Sequence, residues 1–272
     1  MSLRGIGRKT LDVIERGHYL APSGQRVELV ASVERAVQGT VLYRPGEFSG
    51  LAVDPVPVPP SGVRIEVTAE KAGAAARRLV EAGASHVGAL NFASAKNPGG
   101  GFLGEAKAQE EDLARCSALY PCLLTQRDYY DANRADRSPL YTDHLIYSPD
   151  VPFIRDESLA FLEQPFPVSI LTAPAPNAGV ALSRDPGVKE RLRAVLQVRA
   201  LNVLRVAAHH GHRTLVLGAW GCGVFRNDPV EVAEAFALAL AAFPGAFTQV
   251  VFAVYERGGE GPNLRAFQAR FG

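Results

Sequence analysis

Apolar residues recur along most of the chain in two alternating patterns, and the alternation predicts an α/β fold. Leu192, Val195, Leu196 and Val203 follow one another at helical steps, the spacing that lines one helix face, and predict a helix over 188–209. Short runs that are mostly apolar, at 86–92, 168–172, 214–217 and 249–255, predict strands covered on both sides. Further strands are expected at 64–68 and 144–147, and helices at 71–82, 109–124, 229–242 and 262–271. From residue 61 onward strands and helices therefore alternate, which implies three layers with helices on both faces of one sheet.

Residues 1–60 follow a different pattern. Ile6, Leu11 and Ile14 predict a short amphipathic helix centred on 9–16. Strand-like runs follow at 27–33 and 40–43. Residues 53–60, VDPVPVPP, hold four prolines in eight positions; proline fixes φ and removes a donor, so an extended connector is expected there. The division drawn from these patterns is an N-terminal accessory region, 1–60, and a main domain, 61–272.

Composition narrows the class. The chain has 272 residues, 47% of them apolar and 21% charged, the balance of a folded globular protein. Its 29 basic and 28 acidic residues leave a net charge of +1, so no long-range field draws it to nucleic acid or to an anionic membrane. An anionic ligand must be held by local groups. Cys116, Cys122 and Cys222 form no CxxC pair and are expected to be reduced thiols of a cytoplasmic protein. No secretory segment and no membrane span are expected from the hydropathy.

Two glycine-rich loops supply the candidate chemistry. NPGGGFLG at 97–104 and GAWGCGVF at 218–225 each follow an expected strand and precede an expected helix. Ligands of open α/β sheets collect beyond the carboxyl ends of strands. Glycine lets backbone amides approach an anion, and a helix N-terminus adds partial positive charge. The two loops together could hold a diphosphate without lysine. Neither fits GxxxxGK[ST] or GxGxxG; taken singly each reads as a tight turn, and it is the pair at equivalent strand ends that favours a ligand.

After Gly99, Gly100 and Gly101 come seven residues and then Gln109, Glu110 and Glu111. Adjacent helical residues point about 100° apart, so the two carboxylates cannot face one atom in the same way. They differ in this from the opposed acid pair of most glycosidases. At an arbitrary helix start, two glutamates are simply a capping pair. Here three glycines and a Gln-Glu-Glu run, within LNFASAKNPGGGF and QEEDLARCSALY, resemble the signature of bacterial-type poly(ADP-ribose) glycohydrolases. AWGCGVF is similar to the diphosphate loop of that family.

The resemblance implies a three-layer α/β/α macrodomain with a mixed central sheet. It implies an enzyme that hydrolyses the ribose–ribose O-glycosidic bonds of poly(ADP-ribose), mainly from the chain end, and releases ADP-ribose. Glu111 would protonate the leaving 2′-oxygen and then activate water. Glu110 would orient the ribose through its hydroxyls, and Gln109 would support the loop or the adjoining ribose. By the same match Gly221, Cys222, Gly223, Val224 and Phe225 would contact the diphosphate and distal ribose, Cys222 through its backbone amide. Asn97 would face the distal ribose, and Gly99, Gly100 and Gly101 would be substrate-binding. Tyr255 stands where macrodomains put an aromatic against adenine, though it reads equally as a core or rim aromatic. Thr68 is a candidate for the adenine edge, in place of the usual strand-end aspartate. Neither a cofactor nor a metal is implied. The expected partners are poly(ADP-ribose), ADP-ribose and ADP-ribosylated proteins, handled by a monomer with a role in the DNA damage response. A non-catalytic ADP-ribose-binding module and a hydrolase removing single ADP-ribose units from proteins remain alternative readings.

Three features carry less chemistry. His209, His210 and His212 precede or flank Gly211 at a helix end, where cations and a glycine are favoured for structural reasons. Trp220 is expected to be a packing anchor. Residues 127–137, RDYYDANRADR, are expected to form a solvated surface loop, with contact to polymer or modified protein as the alternative.

Overall fold

The computed structural model describes residues 2–53 and 62–272. The connector expected at 53–60 therefore lies, apart from Val53, outside the described residues. The N-terminal part contains α1 (Leu3–Arg16), a small hairpin of β1 (His18–Leu20) and β2 (Arg26–Glu28), α2 (Val30–Gln38) and β3 (Val41–Tyr43). Next come β4 (Arg64–Thr68), α3 (Ala72–Glu81), β5 (Val87–Phe92), α4 (Gln109–Cys116), α5 (Leu119–Leu124) and α6 (Arg127–Ala135). A long hairpin of β6 (Leu145–Arg155) and β7 (Phe161–Ala173) leads to α7 (Ala178–Arg184) and α8 (Lys189–His209). The chain closes with β8 (Thr214–Leu217), α9 (Pro229–Ala241), β9 (Gln249–Ala253) and α10 (Pro262–Phe271).

Seven strands make one mixed sheet in the order β3-β6-β7-β5-β8-β9-β4. From β7 to β4 the neighbours are parallel, and β6 is antiparallel to both β3 and β7. Alternate residues of each central strand feed two cores. Leu90, Leu215, Leu217, Val250 and Phe252 join Leu196, Val203, Phe236 and Phe267 under α8, α9 and α10. Val87, Ala89, Val216 and Val251 join Leu79, Leu113, Leu119 and Tyr129 on the other face. Each fully buried large aliphatic contributes about 1.5–3 kcal/mol. That explains why these strands are apolar without alternation and why the three-layer reading holds.

The N-terminal residues are tied to the sheet and to the loop after β5. Val41 to Tyr43 pair with Tyr147 to Leu145, so β3 is an edge strand of the sheet. At the start of α1 the amides of Leu3 and Arg4 donate to the Glu105 carboxylate at 3.3 and 3.1 Å. Buried Thr10 donates to the carbonyl of Arg115 at 2.8 Å and accepts from Arg155 Nε at 3.0 Å.

Several local expectations are corrected. The run at 27–33 is not one strand, because Leu29, Val33 and Ala36 pack inward at helical spacing as α2 begins. The helix expected over 109–124 breaks at Ser117, where Ala118 N donates to Pro152 O at 3.0 Å and Ser117 bridges Phe153. Residues 127–137 form not a solvated loop but, in most of their length, α6, which buries Tyr129, Tyr130 and Asn133. The β6–β7 hairpin extends far beyond the two short strands expected, with irregular register near Ser148 and Phe153.

Candidate active site

Because β5 and β8 are adjacent and parallel, pairing Val87 with Thr214 and Ala89 with Val216, the two glycine loops leave the same edge of the sheet. The chain after β7, β9 and β4 emerges there too. At this edge Gly99 and Gly100 adopt φ of 67° and 58°, a left-handed region open to glycine without strain. A Cβ on Gly100 would strike the Glu111 carboxylate. The loop thus folds directly onto that acid.

Glu111 is held by both oxygens. Oε1 accepts from Gly101 N at 2.9 Å, and Oε2 accepts from Ala108 N at 3.0 Å. The second bond caps the first turn of α4, so the residue does the capping expected of any such glutamate while its other oxygen faces the glycine turn. Glu110, 2% exposed, points deeper. Its Oε2 accepts from Ser94 N at 2.7 Å and its Oε1 from Asn91 Nδ2 at 3.3 Å. Burial pushes the Glu110 carboxyl up to about 8; Ser94 and Asn91 pull against that shift and the nearby Glu111 adds to it. Gln109 bridges the end of β5, accepting from Phe92 N at 2.8 Å and donating to Leu90 O at 2.7 Å.

The second loop is built to expose amides. Trp220 is buried and donates through Nε1 to Ala173 O at 3.2 Å, the anchor expected of it. Gly221 takes φ of 72° beside Ala175 and Asn227. Asn227 Nδ2 clamps Pro176 O at 2.8 Å and Gly221 O at 3.2 Å. The amides of Gly221, Gly223, Val224 and Phe225 have no acceptor among the described residues. Val224 is 83% exposed, and the Phe225 ring lies 5.9 Å from that of Tyr141. The Cys222 amide differs from its neighbours, since it already donates to Ala219 O at 3.1 Å. Burial pushes the Cys222 thiol up, which is unfavourable to a nucleophilic thiolate.

Thr68 and Tyr255 meet at the far end of the same edge, where Val254 N donates to Thr68 O at 2.8 Å. Thr68 Oγ1 is buried without a partner. Tyr255 is 54% exposed, with Lys71 Nζ 5.9 Å from its ring centre. Asn97 is exposed at the start of the glycine turn. The candidate substrate residues therefore lie on segments that leave the same edge of the sheet.

Other contributors were not singled out. Arg115 is buried and donates to Phe102 O at 3.1 Å and Gly104 O at 3.2 Å, so α4 holds the glycine loop through both Glu111 and Arg115. Their spacing of four residues on one helix face was the available signal. Arg134 of α6 donates to Lys96 O. The histidines are structural: His209 contacts Ala52 O, His210 contacts the Tyr43 hydroxyl, and His212 lies between His86 O and the Tyr147 hydroxyl. Among the described residues no group of three or more His, Cys, Asp or Glu is arranged to hold a metal ion, and no helix is long and apolar enough to cross a membrane. The arrangement offers a carboxylate for proton transfer beside neutral amides suited to a diphosphate.

Comparison with known proteins bears on this geometry. Residues 7–156 match the family model of the microbial-type PARG catalytic domain, a match that spans both sides of the proline-rich segment. The crystal structure of poly(ADP-ribose) glycohydrolase from Thermomonospora curvata is 48% identical, with a TM-score of 0.92 over 99% of each chain. The structure of that glycohydrolase bound to the inhibitor ADP-HPD is 50% identical, with a TM-score of 0.91 over 99% of each chain. The Deinococcus radiodurans enzyme in complex with ADP-ribose is 47% identical, with a TM-score of 0.81 over 90% of this chain and 98% of that one. No curated protein matches the chain. With a family model over more than half of its length and solved relatives about half identical across nearly all of it, the chain belongs to the microbial-type poly(ADP-ribose) glycohydrolase family.

Proposed function

We propose that the protein hydrolyses the ribose–ribose O-glycosidic bonds of poly(ADP-ribose) and releases ADP-ribose, with Glu111 as its general acid and base. The observation that supports this best is the Glu111 carboxylate, buried against Gly101 N at 2.9 Å, on the sheet edge that also presents the free amides of Gly221, Gly223, Val224 and Phe225. The diphosphate of the terminal unit lies along those amides, and its ribose reaches the first glycine turn. Glu111 gives a proton to the departing 2′-oxygen as the C1″–O bond breaks. An oxocarbenium-like sugar forms, stabilised by the nearby diphosphate. The ionised Glu111 then takes a proton from the attacking water, which restores the acid and leaves ADP-ribose with a new hydroxyl at C1″. Glu110 orients the ribose hydroxyls from below; Thr68 and Tyr255 face adenine, and Asn97 faces the distal ribose.

Action from the chain end, a monomeric state, a cytoplasmic location, a part in the DNA damage response and ADP-ribosylated proteins as substrates rest on the family resemblance and complete the proposal. The test pairs the parent protein with Glu111→Gln on poly(ADP-ribose) and on mono-ADP-ribosylated protein. Loss of general acid–base catalysis is expected to slow polymer cleavage by about 10²–10⁴ while ADP-ribose binding persists. Equal rates for the two proteins would remove Glu111 from the mechanism. Release from the mono-modified protein alone would redirect the activity to another bond.

A further inference from the structure

Beside the first glycine loop lies a recess of about 340 Å³ that the mechanism does not use. Pro98, Leu123, Leu124 and the ring of Tyr130 give it apolar walls, and Arg127 and Arg134 give it charge. We propose that this recess binds the adenosine diphosphate of the unit on the leaving side of the scissile bond. The inference rests on the polymer reading above.

Pro98 immediately precedes Gly99 and Gly100, and Gly100 packs on the Glu111 carboxylate. Arg134, on the recess wall, donates to the carbonyl of Lys96 in the same loop. The glycine loop that holds the Glu111 carboxylate follows β5, which lies beside β8 and so shares a sheet edge with the 218–228 loop, and on its other flank it meets the recess at Pro98. A substrate whose terminal diphosphate occupies the first border has its departing portion next to the second.

The oxygen released at Glu111 is the 2′-oxygen of an adenosine that itself carries a diphosphate, so the leaving side presents a flat base and two anionic phosphates. A base is held by apolar and aromatic surface, and phosphates by guanidinium groups. Leu124 is 44% exposed although it adjoins the fully buried Leu123, which leaves an apolar surface open at the recess. Arg134 is partly neutralised by Asp131 at 2.6 Å. Arg127 is exposed and has no ion-pair partner among the described residues. Tyr130 also lines the recess and carries a buried hydroxyl with no hydrogen-bond partner. The protein's net charge of +1 provides no general attraction for the polymer, so a local cation of this kind matters for substrate choice.

The test compares two substrates: poly(ADP-ribose), and ADP-ribose carrying a nitrophenyl leaving group in place of the next unit. Arg127→Glu and Leu124→Asp alter exposed side chains outside the catalytic loop. For each, kcat/KM on the polymer is expected to fall about tenfold, the scale of one charge-assisted contact, with kcat/KM on the nitrophenyl substrate unchanged. Equal losses on both substrates, or no loss on the polymer, would overturn the subsite. A parent protein that cleaves neither substrate would instead refute the glycohydrolase reading, and the subsite with it. Cleavage of the nitrophenyl substrate alone would refute the subsite but not Glu111.

Discussion

Gly100 and Glu111 constrain each other. The turn that brings Gly101 N to the carboxylate requires φ of 58° at Gly100, and any Cβ there would meet the acid itself. Gly100→Ala should therefore cost about 1 kcal/mol or more in stability and at least about tenfold in kcat, because a small displacement of an acid is costly in rate. Thermal unfolding and steady-state kinetics on one sample check both. Glu110 has a different signature. Its carboxyl titrates near 8 in the folded protein against an ordinary value of 4.5, so the folded state binds the extra proton between those limits. Its contribution to stability is complete below the lower value and is lost as the pH rises through the upper one. Glu110→Gln, neutral throughout, should flatten the fall in denaturation midpoint between about pH 5 and 8; an unchanged slope would assign that fall to other groups. The acids and glycines were legible in the sequence because their identity and spacing carry the chemistry. The engaged amide of Cys222 was not, since it depends on how the loop turns back to Ala219 O, and the spacing of Arg115 from Glu111 showed a shared helix face but not the loop carbonyls that Arg115 grips.

Among the elements, α1 bears on the site most directly. Gly7 lies so near the first glycine loop that a Cβ on it would come 2.7 Å from Phe102 O, the carbonyl that Arg115 also holds. Together with the Glu105 and Thr10 hydrogen bonds, this makes α1 a wall of the catalytic loop. Gly7→Ala is expected to lower kcat several-fold with little change in the affinity for ADP-ribose, because the 221–225 amides lie elsewhere. Kinetics combined with calorimetric titration distinguishes this from a uniform loss of binding. The helical period of α1 was readable, but its partner was not, because the contact joins residues about a hundred positions apart. In α6 the two adjacent tyrosines and flanking charges resemble a wet loop; only the packing of Tyr129 and Tyr130 against the second core turns them inward. In the β6–β7 hairpin Pro152, Pro165 and Pro167 interrupt the strand signal, whereas the edge partners and register shifts accommodate them.

For the whole molecule, the apolar central strands predicted a sheet covered on both faces, and the two cores explain why. Strand order could not be read from periodicity, yet it is what brings both glycine loops to one rim. With β5 beside β8, the loop that holds Glu111 and the loop that presents the free amides leave the same edge. The most direct test is a crystal structure of Glu111→Gln with a two-unit fragment of poly(ADP-ribose). The expected result has the side chain at position 111 within about 3 Å of the linking 2′-oxygen and the terminal diphosphate on the amides of Gly221, Gly223, Val224 and Phe225. A diphosphate bound away from that loop, or a side chain turned from the sugar linkage, would contradict the account.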